Sequence, residues 1–324
     1  MSAALGGRPG NGGGCGERSG GCERRARSSL LRRAFRHASS VVAALAALAP
    51  RLVRLAHHHY PDGLLVPWQA EGWHGWVDAA AGIDPAACLA AAAGGVGRAS
   101  RHARTLPLSA AGGALFVKTY PAPGGWRATR ALRMGQALAA AGLAAPEVVA
   151  AARRGGAGLL VTRDVGGEDL LAAVARRCAR LGEKRALLAR LGAEVARLHR
   201  AGFVHGDLVP ANIRLVGERF VFLDNDRTRR SRLLVCLAGR RNLVQLGRFV
   251  VPGLTVSDRA RVLAAYAAGR GLSRRAHRRL ARWLVAKTMA RRCAIDRIPE
   301  AAAARAGFRE LMRSGGPFDP QAVG

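Results

Sequence analysis

Leu198–Asp226 reads LHRAGFVHGDLVPANIRLVGERFVFLDND, and the spacing within it organises the reading of the whole chain. His205-Gly206-Asp207 comes first, Asn212 follows five residues after the aspartate, and an apolar run ends in Asp224-Asn225-Asp226. Phosphoryl transfer needs that order. One aspartate accepts the proton of the attacking hydroxyl, an asparagine holds a magnesium ion, and a second aspartate, delivered by a strand, holds the metal that bridges the nucleotide phosphates. Asp207 is thus the catalytic candidate, Asn212 and Asp224 are metal-ligand candidates, and Asp226 adds to them.

The flanking pattern suits those roles. Glu183–Arg200 carries Leu187, Leu188, Leu191, Val195 and Leu198 at helical spacing and stops at Ala201-Gly202, where glycine can turn left-handed. Ile213–Val216 and Arg219–Leu223 read as two strands around Gly217-Glu218, with Asn212 at the hairpin's entrance and Asp224 at its exit. A lone His-x-Asp would read as a chance turn, and Asp224 as a solvated cap. The complete set in the correct order is much more specific.

HGDLVPANI followed by VFLDNDRTRR resembles the catalytic core of protein-kinase-like phosphotransferases. It is most similar to the lipopolysaccharide kinase (Kdo/WaaP) family, whose members often read D-D-R or D-x-D-R where protein kinases read DFG. Arg227 matches that arginine, and Asn242–Arg248 and Arg259–Tyr266 look like the family's NLxxLxR and RxRFLxxY helices. The resemblance implies an α+β, two-lobed protein-kinase-like fold with a small antiparallel-sheet N-lobe and a mainly helical C-lobe. It also implies ATP with Mg2+ as cofactors and, as acceptor, a sugar hydroxyl (Kdo or heptose) on a lipopolysaccharide precursor.

Ahead of the core, Arg104–Leu108 and Ala114–Tyr120 read as paired strands around a turn at Ser109–Gly113. The second, ALFVKTY, places Lys118 where this fold class has the strand lysine that reaches the nucleotide phosphates. Only 3 of the 52 basic residues are lysines, so a chance lysine there is uncommon. Gly94-Gly95-Val96-Gly97 precedes it at about the distance of a phosphate-covering loop, making Gly95 and Gly97 cofactor-binding candidates through their backbone amides. In a chain with 41 glycines that signal is weak.

A helix is predicted from Trp126 to Ala141, with an exit through Gly142-Leu143 to Pro146. Between Thr119 and Pro146 there is no acidic residue, so the glutamate that pairs with the strand lysine in protein kinases is absent, and Gln136 offers only a neutral amide. Gly158–Thr162 reads as a buried strand leading into the inter-lobe connection at Arg163–Gly167, after which Glu168-Asp169-Leu170 opens a helix. Gly63–Ile83, with Trp68, Trp73 and Trp76, reads as strand or hairpin; Pro85–Ala93 fits either helix or strand.

The 324 residues suffice for one large domain or two lobes, and an apolar share of 49% argues against general disorder. The net charge of +31 will draw phosphate-rich partners, including an anionic membrane surface. No zinc finger, recognition helix or aromatic-interleaved basic pattern marks a specific nucleic-acid module. Cys15, Cys22, Cys88, Cys178, Cys236 and Cys293 form no CxxC pair and read as reduced thiols.

Residues 1–60 are expected to form a basic extension, disordered to Arg27 and then helical in pattern over Ser28–Ala56. The apolar stretch Val41–Leu48 is far shorter than the roughly 20 residues of a membrane span, so an interfacial helix fits better. The His57-His58-His59 triplet reads as a solvated loop. Residues 61–163 and 164–320 are the expected N- and C-lobes. Together these point to a cytoplasmic enzyme, peripheral on the inner face of the inner membrane. Two other readings stay open: a small-molecule phosphotransferase of the aminoglycoside or choline type, and a pseudokinase or nucleotide-binding regulator.

Overall fold

Seven strands pair edge to edge in the first half of the described chain. The computed structural model describes residues 65–295 apart from 96, 101, 111–112 and 249–253, and side chains as far as 291; the basic extension and the histidine triplet lie outside them. The strands are β1 (Leu65–Ala70), β2 (Trp73–Asp78), β3 (Arg98–Ala99), β4 (Arg104–Ala110), β5 (Gly113–Tyr120), β6 (Val148–Arg154) and β7 (Ala157–Arg163). They lie in the order β1-β2-β6-β7-β5-β4-β3, and every pairing is antiparallel. β1 and β2 turn at Glu71-Gly72, both at positive φ, the geometry that matches the twist of a tight hairpin.

Two α-helices belong to this lobe among the described residues. α1 (Pro85–Gly94) settles the ambiguous alanine run as helix: Asp84 caps it through the amides of Ala86 and Ala87, and proline occupies its first turn. α2 (Trp126–Ala140) buries Ala128, Ala131 and Leu132 beside Tyr120, Ala151 and Leu160 of the sheet. Strand β6, VVAAARR, is poorly signalled by its alanines. Its burial between two neighbours overrides that weak preference, and Val149–Ala152 are fully enclosed.

The second lobe is mainly helical: α3 (Leu170–Arg176), α4 (Leu181–Arg200), α5 (Arg232–Gly247), α6 (Val256–Gly269) and α7 (Arg274–Ile295). α4 is its axis. Leu187, Leu188, Leu191, Val195 and Leu198 are all 3% exposed or less, and each contributes roughly 1.5–3 kcal/mol of burial. The short strands β8 (Glu168–Asp169), β10 (Ile213–Val216) and β11 (Arg219–Phe222) form a three-stranded sheet, while β9 (Phe203–Val204) pairs with β12 (Arg229–Arg230). Entry to and exit from the motif-bearing segment are therefore neighbours, through Arg229 opposite Val204. The α2 exit also docks on that segment: Phe222 donates its amide to Ala144 O at 2.9 Å. The architecture is α+β and two-lobed, a small antiparallel-sheet lobe followed by a mainly helical one, as the motifs implied.

α4 and α6 meet at Gly192, where a Cβ would stand 2.2 Å from the carbonyl oxygen of Val262. Gly192→Ala should force the helices apart and destabilise the chain by roughly 1–3 kcal/mol, measured as a lower midpoint in thermal or urea unfolding, although alanine is the better helix former.

Candidate active site

β11 ends two residues before Asp224, and the backbone turns sharply there. Asp224 sits at φ +54, one of two non-glycine residues at positive φ among those described. Asn225 secures the turn from inside: its Nδ2 donates to Phe222 O at 2.7 Å, and its Oδ1 accepts from Thr228 Oγ1 at 3.1 Å. A buried asparagine between the two acids thus fixes which way each carboxylate faces.

Lys118, 106 residues upstream on β5, meets both acids. Its Nζ lies 2.5 Å from Asp224 Oδ1 and 3.5 Å from Asp226 Oδ2. The two carboxylates are unlike: the Asp224 side chain is 38% exposed and that of Asp226 only 3%. Burial raises the Asp226 pKa, the neighbouring Asp224 charge raises it further, and Lys118 opposes both. Tyr120 stands alongside, its hydroxyl also raised by burial and by these two acids.

The helix next to the lysine contributes the opposite charge to the one protein kinases use. α2 offers no acid; Arg127 in its first turn lies 4.0 Å from Asp226 Oδ2. Nothing among the described contacts ties Gln136 to Lys118. Lys118 is oriented by the carboxylates it faces instead of by a helix glutamate.

The Asp207 loop is held from behind by α5. His205 Nε2 bonds Leu223 O at 2.8 Å, and His205 Nδ1 accepts the Asp207 amide at 3.1 Å. Asn242 accepts from His205 N at 3.0 Å and donates to His205 O at 2.7 Å. Gln245 Nε2 donates to Asp207 Oδ1 at 2.9 Å. Asn212 Nδ2 donates to Asp207 O at 2.9 Å, which leaves its Oδ1 outside that bond, and Asn212 O accepts from Leu223 N at 2.9 Å. Asp207, Asn212, Asp224 and Asp226 are in this way joined through one short set of bonds.

Gly95 and Gly97 lie elsewhere. Gly95 closes α1, and Gly97 runs against the backbone of Thr105 and the Leu106 Cβ, on the side of β4 away from β5. The β3–β4 turn falls at residues 100–103, where Ser100 Oγ caps Ala103 N at 3.1 Å. Neither glycine is at that turn, because the glycines belong to a helix stop and a close strand approach.

Sequence reasoning overlooked Arg127, Tyr120, Gln245 and the role of Asn242 as a hub. A lone arginine, tyrosine or amide in a helix or strand carries no spacing signal, and only the fold brings these side chains to the acids. Among the described residues no three His, Cys, Asp or Glu side chains gather into a metal cage. One atom does fit a cation: Asp226 Oδ1 is buried and has no hydrogen-bond partner.

Behind the loop, His199 is sealed between Tyr266 OH at 2.9 Å and Asn242 Oδ1 at 3.1 Å. Burial lowers its pKa to about 4, against an ordinary value of 6.5, despite the Asn242 bond. Unfolding frees this ring to bind a proton below pH 6.5, so its contribution is full above that pH and is lost as pH falls toward about 4. Thermal unfolding of the wild type should therefore lose on the order of 3 kcal/mol across that window from this group. His199→Gln should flatten the slope; an unchanged slope would show that the ring is not buried neutral.

The lipopolysaccharide kinase (Kdo/WaaP) family model matches residues 116–266. No curated protein matches the chain. Among solved structures, the Mycobacterium tuberculosis PknI kinase domain is similar at 18% identity and a TM-score of 0.34, covering 59% of this chain and 92% of that one. A point mutant of the same domain gives 17% and 0.35 at the same coverage. These likenesses are too loose to bear on the site, and the fold rests on the strand order and helix packing above. The matched segment contains Lys118, the Asp207 loop, the acids Asp224 and Asp226, and the α5 amides, and over those residues the chain is similar to the lipopolysaccharide kinase (Kdo/WaaP) family, a family of kinases.

Proposed function

We propose that the protein transfers the γ-phosphoryl group of ATP to a hydroxyl of Kdo or heptose in the lipopolysaccharide inner core. The observation that carries this reading is the meeting of Lys118 with Asp224 and Asp226 beside the Asp207 loop, at 2.5 and 3.5 Å across 106 residues of chain. No packing need calls for one lysine on two acids at the mouth between lobes, whereas phosphoryl transfer calls for all three charges.

Asp207 accepts the proton of the acceptor hydroxyl and aims its oxygen at the γ-phosphorus. Lys118 leaves the carboxylates to bind phosphate oxygens when the nucleotide arrives. Asp224, Asp226 and the free Oδ1 of Asn212 would hold Mg2+, which when bound neutralises charge developing on the transferred group. Two acids and an amide form an incomplete shell by themselves, which suits a cation whose remaining donors are phosphates and water. Catalysis in this scheme is positioning and charge neutralisation.

An anionic acceptor is supported by the charges around the site. Arg127 and Arg130 flank the exposed Trp126 ring, their guanidinium carbons 5.6 and 5.4 Å from its centroid. Burial, and after it the charge of Arg229, hold the Arg130 pKa below the usual arginine range, with Asp226 opposing them. A cationic amino sugar would be repelled here, which speaks against the aminoglycoside-type alternative. The retained Asp207, Asn212 and Asp224 speak against a pseudokinase, and Lys118 is held by the acids without a helix glutamate. We assign residues 61–163 and 164–320 as the two lobes of this catalytic unit.

The arginine-rich α7, with Arg274, Arg275, Arg278, Arg279 and Arg282, supports peripheral attachment to an anionic cytoplasmic membrane face. No helix among the described residues is long and apolar enough to cross a membrane.

Transfer of radiolabelled phosphate from ATP to a purified inner-core precursor tests the proposal. Asp224→Asn keeps a residue type that tolerates the left-handed backbone while removing the charge, so the fold should survive and transfer should fall by roughly 100-fold or more. Full activity in this variant would refute the metal assignment, and preferential phosphorylation of a cationic amino sugar would refute the acceptor class.

A further inference from the structure

Asp207 has two carboxylate oxygens, and a base can use only one on the acceptor at a time. In the described structure Oδ1 is already engaged: Gln245 Nε2 donates to it at 2.9 Å. The other end of the same amide is engaged too. Gln245 Oε1 accepts from Asn242 Nδ2 at 2.9 Å and from Leu208 N at 3.3 Å. Asn242, 1% exposed, in turn grips both backbone groups of His205. The amide plane of Gln245 is thus fixed at its oxygen by a helix side chain and a loop amide, which leaves its NH2 a single direction in which to point.

We propose that Gln245 is the positioning residue of the Asp207 carboxylate: it occupies Oδ1, locks the carboxylate's rotation, and turns Oδ2 toward the acceptor hydroxyl. This rests on the kinase reading above and adds the device that orients its base. A neutral donor suits the task. An arginine or lysine in the same place would add a full positive charge beside the base and weaken its pull on the proton, while an amide orients the carboxylate with little such effect.

The two ends of the amide allow the orienting role to be separated from a merely structural one. Gln245→Glu keeps an acceptor for Leu208 N and Asn242 Nδ2 but replaces the donor to Asp207 with an oxygen. Gln245→Ala removes both ends. Steady-state transfer from ATP to an inner-core precursor should show Gln245→Glu lowering kcat by roughly 10- to 100-fold with the KM for ATP within about twofold of wild type. Hydrogen exchange at the Leu208 amide should stay slow in that variant and become faster in Gln245→Ala. Crystal structures of wild type and Gln245→Glu supply a readout that does not depend on turnover, and they should show the Asp207 carboxylate rotated away from α5 in the variant.

A kcat for Gln245→Glu within twofold of an active wild type would overturn the inference and leave the kinase reading standing. A wild type that transfers no phosphate would instead remove the kinase reading. The inference would then be decided by the Asp207 rotamer alone, an unmoved carboxylate counting against it.

Discussion

One ammonium group facing two carboxylates holds this molecule's two halves in functional register. Lys118 comes from an interior strand of a seven-stranded sheet, and Asp224 and Asp226 come from a turn at the end of a hairpin in the other lobe. The link is partly exposed on the Asp224 side and closed on the Asp226 side. Two acids this near one another repel, and burial makes the inner one harder to ionise. Such an arrangement is poor for stability and well suited to a cation or to a phosphate that draws the lysine away, in keeping with strain and unmet charge gathering at functional sites.

The supporting structure divides into a rigid rear and a charged front. Behind the Asp207 loop, α5 presents Asn242 and Gln245, each making several bonds, and His199 and Tyr266 close the network from α4 and α6. In front, Arg127 lies against Asp226, Arg130 feels the same carboxylate, and Arg229 adds its charge beside Arg130. Where protein kinases join helix to strand through a glutamate on the lysine, this chain joins helix to turn through an arginine on the aspartate. The helix remains coupled to the site, with the sign of the coupling reversed. This makes the missing glutamate a change of partner: α2 would respond to whatever neutralises Asp226, a metal included.

Much of this could be read in the amino-acid order, and what could not has physical reasons. The helix of 181–200, the hairpin with Asn212 and Asp224 at its ends, and the strand bearing Lys118 were all legible, because each joins a regular apolar period to turn residues at defined places. Val148–Arg154 was not, since three alanines carry no strand preference and only enclosure between two strands makes them one. Gly95 and Gly97 read as a phosphate loop but serve a helix stop and a tight approach to β4, uses that leave the same letter in the sequence. The partners of Asp226 and Asp207 depend on residues brought from 100 and 38 positions away or thereabouts, and no local spacing announces such meetings.

The claim on which the account depends is that Lys118 and Asp224 form one nucleotide-metal site and are not two separate surface charges. Calorimetric titration of Mg2+-ATP into wild type, Lys118→Met, Asp224→Asn and the double variant addresses it without requiring an acceptor. A shared site requires strongly non-additive losses of affinity, with a coupling well above about 0.5 kcal/mol, as expected for residues in contact. Losses that add to within about 0.3 kcal/mol, or wild-type affinity in either single variant, would contradict it.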